Sequence, residues 1–250
     1  MVNLFGVFSN YNHIPATELL HRVSDFVILD QSNDKNIKKV LKGRFKHRVV
    51  GTLHCGHNLI DYLSFIIENY DTLPDYTLFG KGNMVPRHIT LEDYELNTAL
   101  LQEDVVPMFS PSYVEQNARV ATVTATGWYK EKNNDWYVRF SRHRFFSSLN
   151  DMGRFLYSNW VDWDFIPFSP GACYLVSRER LKDIPIANYF CLRSILEYDF
   201  FPSEAWMIER LLGPLFRLEL QLRDQWHDQQ VFADALHSLP DLSDLRVSGA

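Results

Sequence analysis

Long apolar runs, cysteine pairs and a leading signal are all missing from this sequence of 250 residues. No segment approaches the roughly 20 apolar residues that a membrane-spanning helix needs. The three cysteines, Cys55, Cys173 and Cys191, include no Cys-x-x-Cys pair, which argues against a disulfide framework and a zinc site. The first residues lack a basic stretch followed by an apolar core, so no signal peptide is indicated. We therefore expect a reduced, cytoplasmic protein, with peripheral attachment at the inner face of the membrane as the alternative.

An excess of positive charge is also missing. Lys and Arg total 25 against 31 Asp and Glu, a net charge of −6, whereas a general nucleic-acid-binding protein needs a basic face. Neither a Gly-x-Ser-x-Gly nucleophile elbow nor a P-loop motif is present, which disfavours another α/β enzyme such as a hydrolase. The hydrophobic fraction of 46% and the chain length suit one large globular domain.

The most informative stretch is residues 49–88. A β-branched, apolar run from Val49 to Leu53 predicts a buried strand, and the polar segment HCGHN follows it. Asn58 is the expected N-cap of the next helix, whose apolar residues recur at helical spacing. A second strand is predicted at 76–79, followed by the polar segment GKGNMVPRH. Such a β-α-β unit implies parallel strands. Both polar segments should then lie at the carboxyl ends of neighbouring strands, where open α/β sheets bind ligands.

Strands and helices alternate along the first part of the chain, which is typical of a doubly wound parallel sheet. The predicted parallel strands are 2–8, 25–29, 48–53 and 76–79. Later elements are a β-hairpin of 120–126 and 136–140 with a polar tip at 130–135, a strand at 172–176, a helix at 204–216 capped by Ser203, an amphipathic helix at 218–236, and a frayed end or linker at 240–250. We expect one domain over 1–217, and a C-terminal helix and tail over 218–250 that could lead to a further domain.

Four segments carry a family resemblance. VILDQSND, GHNLIDYLSFIIENYDTLPDYTLFGKGN, SPGACYLVSRERL and EAWMIERLLGPLF, in this order, resemble segments of bacterial, fungal and viral glycosyltransferase-like proteins of the GT-A fold. The resemblance covers most of residues 2–216 and is strongest from Gly56 to Asn83. It implies a GT-A-like (Rossmann-like) α/β fold, with a mostly parallel central sheet and helices on both faces.

The same resemblance implies an activity. A sugar would move from a nucleotide diphosphate sugar, most simply a UDP-sugar, to a glycan or glycolipid acceptor, as in capsule or O-antigen assembly. An inverting mechanism is favoured over a retaining one. A noncatalytic nucleotide- or carbohydrate-binding domain of the same fold is the alternative.

The sequence departs from the usual GT-A pattern after the fourth strand. Many such enzymes hold a divalent metal there with an Asp-x-Asp motif, but this position reads Gly80-Lys81-Gly82-Asn83. Lys81, Arg87 and His88 could instead neutralise the departing diphosphate without metal, and their alternative role is that of solvated loop residues. We expect no bound metal, with Mn²⁺ or Mg²⁺ as the alternative.

The literal Asp-x-Asp triplet occurs later, at Asp162 and Asp164. Acceptor binding, metal binding and a plain surface loop are all open for it. The arginines Arg139, Arg142 and Arg144 form a second cationic cluster that could contact the diphosphate or simply face solvent.

An inverting transferase needs a carboxylate to deprotonate the acceptor hydroxyl. Glu204 aligns with the apolar face of its helix, so it should face the core or a cleft, and it is the first candidate for the base. Glu209 is the second, with a structural ion pair to an arginine as its alternative role. The remaining predicted contacts are to the donor: Ser9, Asn10, Tyr11, Asp30 and Ser32 for the base and ribose, His57, Asn58 and Asp61 for sugar or ribose hydroxyls, and Lys81, Asn83, Arg87 and His88 for the diphosphate. Ordinary loop capping is the alternative role of the first group.

Overall fold

The computed structural model describes residues 3–116 and 120–243. In its first half the elements are β1 (Leu4–Asn10), α1 (Thr17–Leu20), β2 (Asp25–Asp30), α2 (Lys35–Phe45), β3 (Val49–Gly51), α3 (His57–Glu68), β4 (Tyr76–Lys81), α4 (Met84–Arg87), α5 (Leu91–Thr98), β5 (Val105–Pro107) and α6 (Pro111–Gln116). In the second half they are β6 (Ala121–Val123), β7 (Tyr129–Lys132), α7 (Leu149–Leu156), β8 (Phe165–Phe168), β9 (Tyr174–Ser177), α8 (Arg178–Asp183), α9 (Ile186–Leu196), α10 (Ser203–Phe216) and α11 (Gln229–His237). Short 3-10 turns lie at Lys46–Arg48, Trp136–Arg139, Pro170–Ala172 and Asp224–His227.

The central sheet has six strands in the order β3-β2-β1-β4-β9-β5. β1 pairs in parallel with β2 and β4, and β2 pairs in parallel with β3. β9 runs antiparallel between β4 and β5, so the sheet is mixed. The four predicted parallel strands are confirmed, but the third is not the buried strand expected over 48–53: β3 is a short, largely exposed strand at the edge of the sheet. The prediction that β3 and β4 are neighbours is wrong, because β2 and β1 lie between them. Their carboxyl ends nevertheless lie at the same edge of the sheet, since all four strands share one direction.

Helices cover both faces of this sheet, and successive residues of β1 show how. Val7 packs in a core cluster with Leu59 and Leu63 of α3. Phe8 points to the opposite face and packs with Leu19 and Leu20 of α1. Because successive side chains of a strand point to opposite faces, one apolar strand serves both cores.

The second sheet, β6-β7-β8, is antiparallel. The predicted hairpin was placed too late in the chain: β6 pairs with β7, with Val123 opposite Tyr129, and residues 136–139 form a 3-10 turn. α10 lies against β8, and Gly213 makes this approach possible, since a Cβ there would overlap the carbonyl oxygen of Pro167.

The predicted helix over 218–236 is also wrong as a single element. The segment contains a β-bridge between Tyr157 and Leu222, the 3-10 turn Asp224–His227 and then α11. Leu222 and Trp226 belong to the main core cluster, so this segment packs on the rest of the chain. The domain boundary after residue 217 stays a prediction. Residues 244–250 of the predicted tail lie outside the described residues.

Two predicted caps are placed differently. α3 begins at His57 after Gly56, whose φ is +61°, so Asn58 lies inside the helix. α10 begins at Ser203 after Pro202, and the Ser203 hydroxyl donates a 2.7 Å hydrogen bond to the carbonyl oxygen of Ser141. No helix in the described ranges is long and apolar enough to cross a membrane.

Candidate functional site

A polar pocket lies at the sheet edge where β1, β2 and β4 end. The parallel register places Asn10 beside Asp30 and Ser9 beside Lys81. The start of α3 and the segment before α10 complete the walls, and the cavity measures about 120 Å³. It is lined by Ser9, Asn10, Tyr11, His13, Gln31, His57, Asn58, Lys81, Gly82, Asn83, Arg87 and Phe200. The two polar segments that the sequence singled out therefore do contribute to one cavity.

Asp30 and Ser32 lie behind the pocket wall and position Asn10. Both are buried. The Asn10 side-chain amide donates to Asp30 Oδ1 at 3.0 Å and to Ser32 Oγ at 3.3 Å, and the Ser32 hydroxyl donates to Asp30 at 2.6 Å. Neither Asp30 nor Ser32 lines the cavity, so their influence on a ligand is exerted through Asn10.

Asp61 organises the pocket floor from within α3. Its Oδ2 accepts hydrogen bonds from the Ser9 hydroxyl and from Gln31 Nε2, the latter at 3.0 Å. Gln31 Nε2 also donates to the His57 carbonyl oxygen at 2.7 Å. Burial raises the pKa of Asp61 to about 7, and the hydrogen bonds offset only part of that rise. A buried carboxyl group thus joins β1, β2 and α3 beneath the cavity.

Lys81 and Arg87 bring positive charge to the pocket. Lys81 is the last residue of β4, and Arg87 ends the short, kinked α4. Neither forms a salt bridge with another residue of the described ranges. Burial lowers the pKa of Lys81, while the nearby Glu209 carboxylate raises it. Both cations are available to an anionic ligand.

The two histidines of the region are neutral at pH 7. Burial, assisted by the charge of Lys81, lowers the pKa of His57 to about 3 and that of His88 to about 3. His57 Nδ1 lies 2.6 Å from Asn58 Oδ1, so Nδ1 carries the proton and donates. His88 is buried behind the cavity and does not line it. His88 therefore adds no fixed positive charge at this pH, in contrast to the role suggested by its place in the loop.

Glu209 lies close to the pocket, and its hydrogen-bond partner is a backbone amide rather than the arginine of its alternative structural role. Glu209 Oε1 accepts a 2.6 Å hydrogen bond from the Gly171 backbone amide, and the Asn58 side chain donates to the carbonyl oxygen of the same glycine at 3.0 Å. The neighbouring Arg210 instead forms a buried ion pair with Glu131. Glu209 is therefore linked to the pocket wall through Gly171 and Asn58.

Glu204 lies away from the pocket. Its carboxylate has no solvent exposure (0%). Oε1 accepts from the backbone amides of Arg144, Phe145 and Phe146 at 2.9, 2.8 and 3.4 Å, and Oε2 accepts from the Tyr198 hydroxyl. Of the two predicted surroundings for this residue, the core or a cleft, the structure has the core. Its carboxylate holds the loop before α7 against the start of α10.

The other sequence candidates do not reach the cavity. Asp162 and Asp164 are exposed in the loop before β8, where Asp162 pairs with Arg154. Arg142 and Arg144 approach Asp199 and Asp241, at 3.9 and 3.6 Å. None of these side chains lines the pocket.

Three lining residues were missed by sequence reasoning: His13, Gln31 and Phe200. Gln31 stands inside the segment DQSND, so the position of that loop after β2 could have indicated it. Phe200 carries no local signal. It reaches the pocket because the His57 backbone amide donates to its carbonyl oxygen at 2.8 Å.

Aromatic rings form the rim. The ring of Phe200 stacks on His54 with centroids 3.9 Å apart, and the Tyr11 ring lies 4.8 Å from Phe200. Tyr11 is 40% exposed. A flat, partly exposed surface of this kind suits contact with a planar ring or with the apolar face of a sugar.

The side chains that line the pocket do not suit a divalent metal ion. The lining contains two cations and no Asp or Glu, whereas Mg²⁺ and Mn²⁺ prefer carboxylate oxygens. Across 3–116 and 120–243, no group of three or more His, Cys, Asp or Glu side chains could hold a metal ion.

Fold and site together define an α/β protein with a polar, cationic pocket at the carboxyl edge of its parallel strands. The chain belongs to a family described as a protein of unknown function (DUF3431), whose model matches residues 42–222. The match includes Lys81, Arg87 and Phe200, while β1 and β2 precede it. No curated protein matches the chain.

Proposed function

We propose that the protein is a GT-A-like glycosyltransferase that moves a sugar from a nucleotide diphosphate sugar, a UDP-sugar in the first place, to a glycan or glycolipid. The observation that carries this proposal is the pair Lys81 and Arg87, free of salt bridges to described residues, at the sheet edge where open α/β folds bind ligands. The proposed compartment is the cytoplasm.

In this proposal the diphosphate occupies the pocket beside Lys81 and Arg87. A cavity of about 120 Å³ suits the phosphate part of such a ligand rather than the whole of it. Asn83 supplies a side-chain amide nearby, and the base or sugar ring rests on Tyr11 and Phe200 at the rim. Negative charge builds on the diphosphate as it leaves, so cations held in place stabilise the transition state more than the ground state.

Glu209 is the carboxylate that we assign as the base for the acceptor hydroxyl. It lies near Lys81 and is partly exposed. Glu204 already accepts four hydrogen bonds and is fully buried, so an acceptor hydroxyl cannot reach it. A retaining mechanism would need neither residue in this role, and acceptor contact by Asp162 and Asp164 stays a prediction.

A second candidate is a noncatalytic nucleotide- or carbohydrate-binding domain of the same fold. The engagement of Glu204 in loop anchoring favours it, since one of the two base candidates is occupied structurally. This candidate shares the ligand pocket but has no turnover.

Two measurements test the proposal in sequence. Thermal unfolding is followed with UDP, a panel of UDP-sugars and inorganic pyrophosphate, because a ligand that binds only the folded state raises the midpoint. Release of UDP on addition of glycan acceptors then separates a transferase from a binding domain. We expect turnover to survive EDTA. Loss of activity in EDTA with recovery on Mn²⁺ would overturn the metal-independent form of the mechanism.

A further inference from the structure

A basic surface lies along α2 and the turn that follows it. Seven of the 25 Lys and Arg residues fall within 35–48, a segment without Asp or Glu, so the other residues carry 18 basic against 31 acidic side chains. The protein as a whole is acidic, yet this one segment is strongly cationic. The positive charge is therefore concentrated in one segment of the sequence, which the net charge of −6 does not reveal.

Four of these cations share one face of the helix. Lys35, Lys38, Lys39 and Lys42 follow i, i+3, i+4, i+7 spacing, which aligns side chains along a helix. We call this set the lysine stripe. All four residues are exposed, whereas Leu41 of the same helix is buried. None of the four forms a salt bridge with a residue of the described ranges.

The lysine stripe opposes the local stability of its helix. Like charges at i, i+3 and i, i+4 repel, and the first turn of α2, which begins with Lys35, contains no acidic residue, although the positive end of the helix dipole favours anions there. Asp34 caps the helix through its side chain, with bonds to the amides of Asn36 and Ile37 at 2.7 and 3.3 Å. A single acidic cap does not neutralise four lysines, so their charge remains available to a partner.

Exposed apolar side chains accompany the basic segment. Val40 of α2 is 44% exposed, but it lies on a different face of the helix from the lysine stripe. Val50 and Leu53, just after the segment, are 47% and 60% exposed. Val50 belongs to β3, the edge strand of the sheet, and Leu53 follows that strand. Cationic side chains with nearby exposed aliphatic groups are the combination that binds the interface of an anionic bilayer.

We propose that the lysine stripe binds anionic lipid headgroups and holds the protein at a membrane surface. A bilayer fits better than a nucleic acid for two reasons. The stripe is a convex helix face of lysines without stacking aromatics, whereas single-stranded nucleic acids use grooves with aromatic platforms. The acidic remainder of the molecule would also repel a long polyanion, while a bilayer needs only one face. This inference does not depend on the proposed transferase activity.

The test is co-sedimentation of the full chain with phosphatidylcholine vesicles, with and without about 30% phosphatidylserine. We expect binding only to the anionic vesicles, and its loss when the salt rises from about 0.1 M to about 0.5 M. The variant Lys38→Glu/Lys42→Glu should bind the anionic vesicles at least about 25-fold more weakly than the wild type, since each lysine near an anionic surface contributes about a fivefold factor in affinity.

The matched control is Lys132→Glu/Arg139→Glu, which makes the same change in charge at two other exposed positions. It should retain vesicle binding, and both variants should keep the thermal midpoint of the wild type to within a few degrees. Equal binding to neutral vesicles, or an equal loss in both variants, would overturn the proposal. Tight binding to a duplex or single-stranded oligonucleotide without vesicle binding would overturn it in favour of a nucleic-acid partner.

Discussion

Lys81 and Arg87 stand in different surroundings although they serve one pocket. Lys81 is partly buried at the end of β4, and burial lowers its pKa. Arg87, in contrast, lines the same pocket and is exposed to solvent. A lysine in a partly desolvated site interacts more strongly with an anion than one in water does. We therefore expect Lys81 to contribute more than Arg87 to binding of a diphosphate.

Lys81→Ala should weaken binding of UDP by about 1.5–3 kcal/mol, the range for a hydrogen bond to a charged group. Isothermal titration calorimetry measures the change, and Lys132→Ala is the control at an exposed lysine outside the pocket. If activity is found, the loss should fall mainly on kcat, because the charge acts on the departing diphosphate. UDP affinity equal to that of the wild type in a folded Lys81→Ala variant would contradict this placement.

Asp61 predicts a pH dependence of stability. Its folded pKa of about 7 lies above the ordinary pKa of 3.8 for an Asp carboxyl, so the folded state holds the proton more tightly than the unfolded state does. The resulting stabilisation is fully present below the unfolded pKa and is lost as the pH rises through about 7, with a size on the order of a few kcal/mol. Buried neutral His57 and His88 act in the opposite sense, because their folded pKa values of about 3 lie below 6.5 and stability falls as the pH drops below 6.5.

The comparison that isolates Asp61 is the wild type against Asp61→Asn. Urea unfolding at pH 5 and pH 8 gives the change in free energy for each, and the histidine contribution cancels in the difference. We expect Asp61→Asn to be less sensitive to the rise in pH than the wild type by on the order of a few kcal/mol. Identical pH profiles for the two proteins would show that Asp61 titrates normally.

At the scale of elements, α10 shows what the spacing of apolar residues along a helix can predict and what it cannot. The period of the apolar residues predicts the helix and places Glu204 on its inner face, and both agree with the structure. The pattern does not show what lies opposite that face. Three of the four partners of Glu204 are backbone amides 58–60 residues earlier in the chain, which no local signal indicates. For the same reason the sequence does not indicate the partner of Arg210, which pairs with Glu131, 79 residues away.

Glu204→Ala should destabilise the protein by roughly 3–5 kcal/mol, because it leaves buried backbone amides without acceptors. Glu204→Gln keeps one acceptor oxygen and should cost less. Denaturant unfolding measures both, and Glu197→Ala, at an exposed carboxylate that pairs with Arg193 at 3.2 Å, is the control, with an expected cost of less than about 1 kcal/mol. A stable Glu204→Gln variant without turnover would instead restore Glu204 as a candidate for the base.

Strand assignments show the same division between local and distant information. The apolar run predicted as a strand over 2–8 is recognisable alone, although β1 continues to Asn10. The alternation of strands and helices predicts the parallel ladder. The antiparallel insertion of β9 between β4 and β5 depends on pairings such as Leu78 with Leu175, almost a hundred residues apart. The pocket was predictable where it follows strand ends, as for Asn10 and Lys81, and not where a distant segment folds over it, as for Phe200.

At the scale of the whole molecule, the C-terminal segment tests whether 1–217 is a self-sufficient unit. Leu222, Trp226, Phe232 and Leu236 belong to the main core cluster. The Trp226 ring stacks on Phe155 with centroids 4.9 Å apart, and its Nε1 donates to the Phe155 carbonyl oxygen at 2.7 Å. These contacts cover α7 and α9, and their removal would expose a large apolar surface.

A chain ending at residue 217 should therefore unfold at a lower temperature than the full chain and bind the dye ANS, because α7 and α9 lose their apolar cover. A chain ending at residue 239 keeps α11 and is the matched control. The single change Trp226→Ala should cost roughly 3–5 kcal/mol, as the loss of a large buried side chain does. Differential scanning calorimetry compares the four proteins. A 1–217 chain that unfolds cooperatively at the temperature of the full protein would show that the boundary predicted from the sequence is a true domain boundary, with the core contacts of Trp226 and Phe232 contributing little.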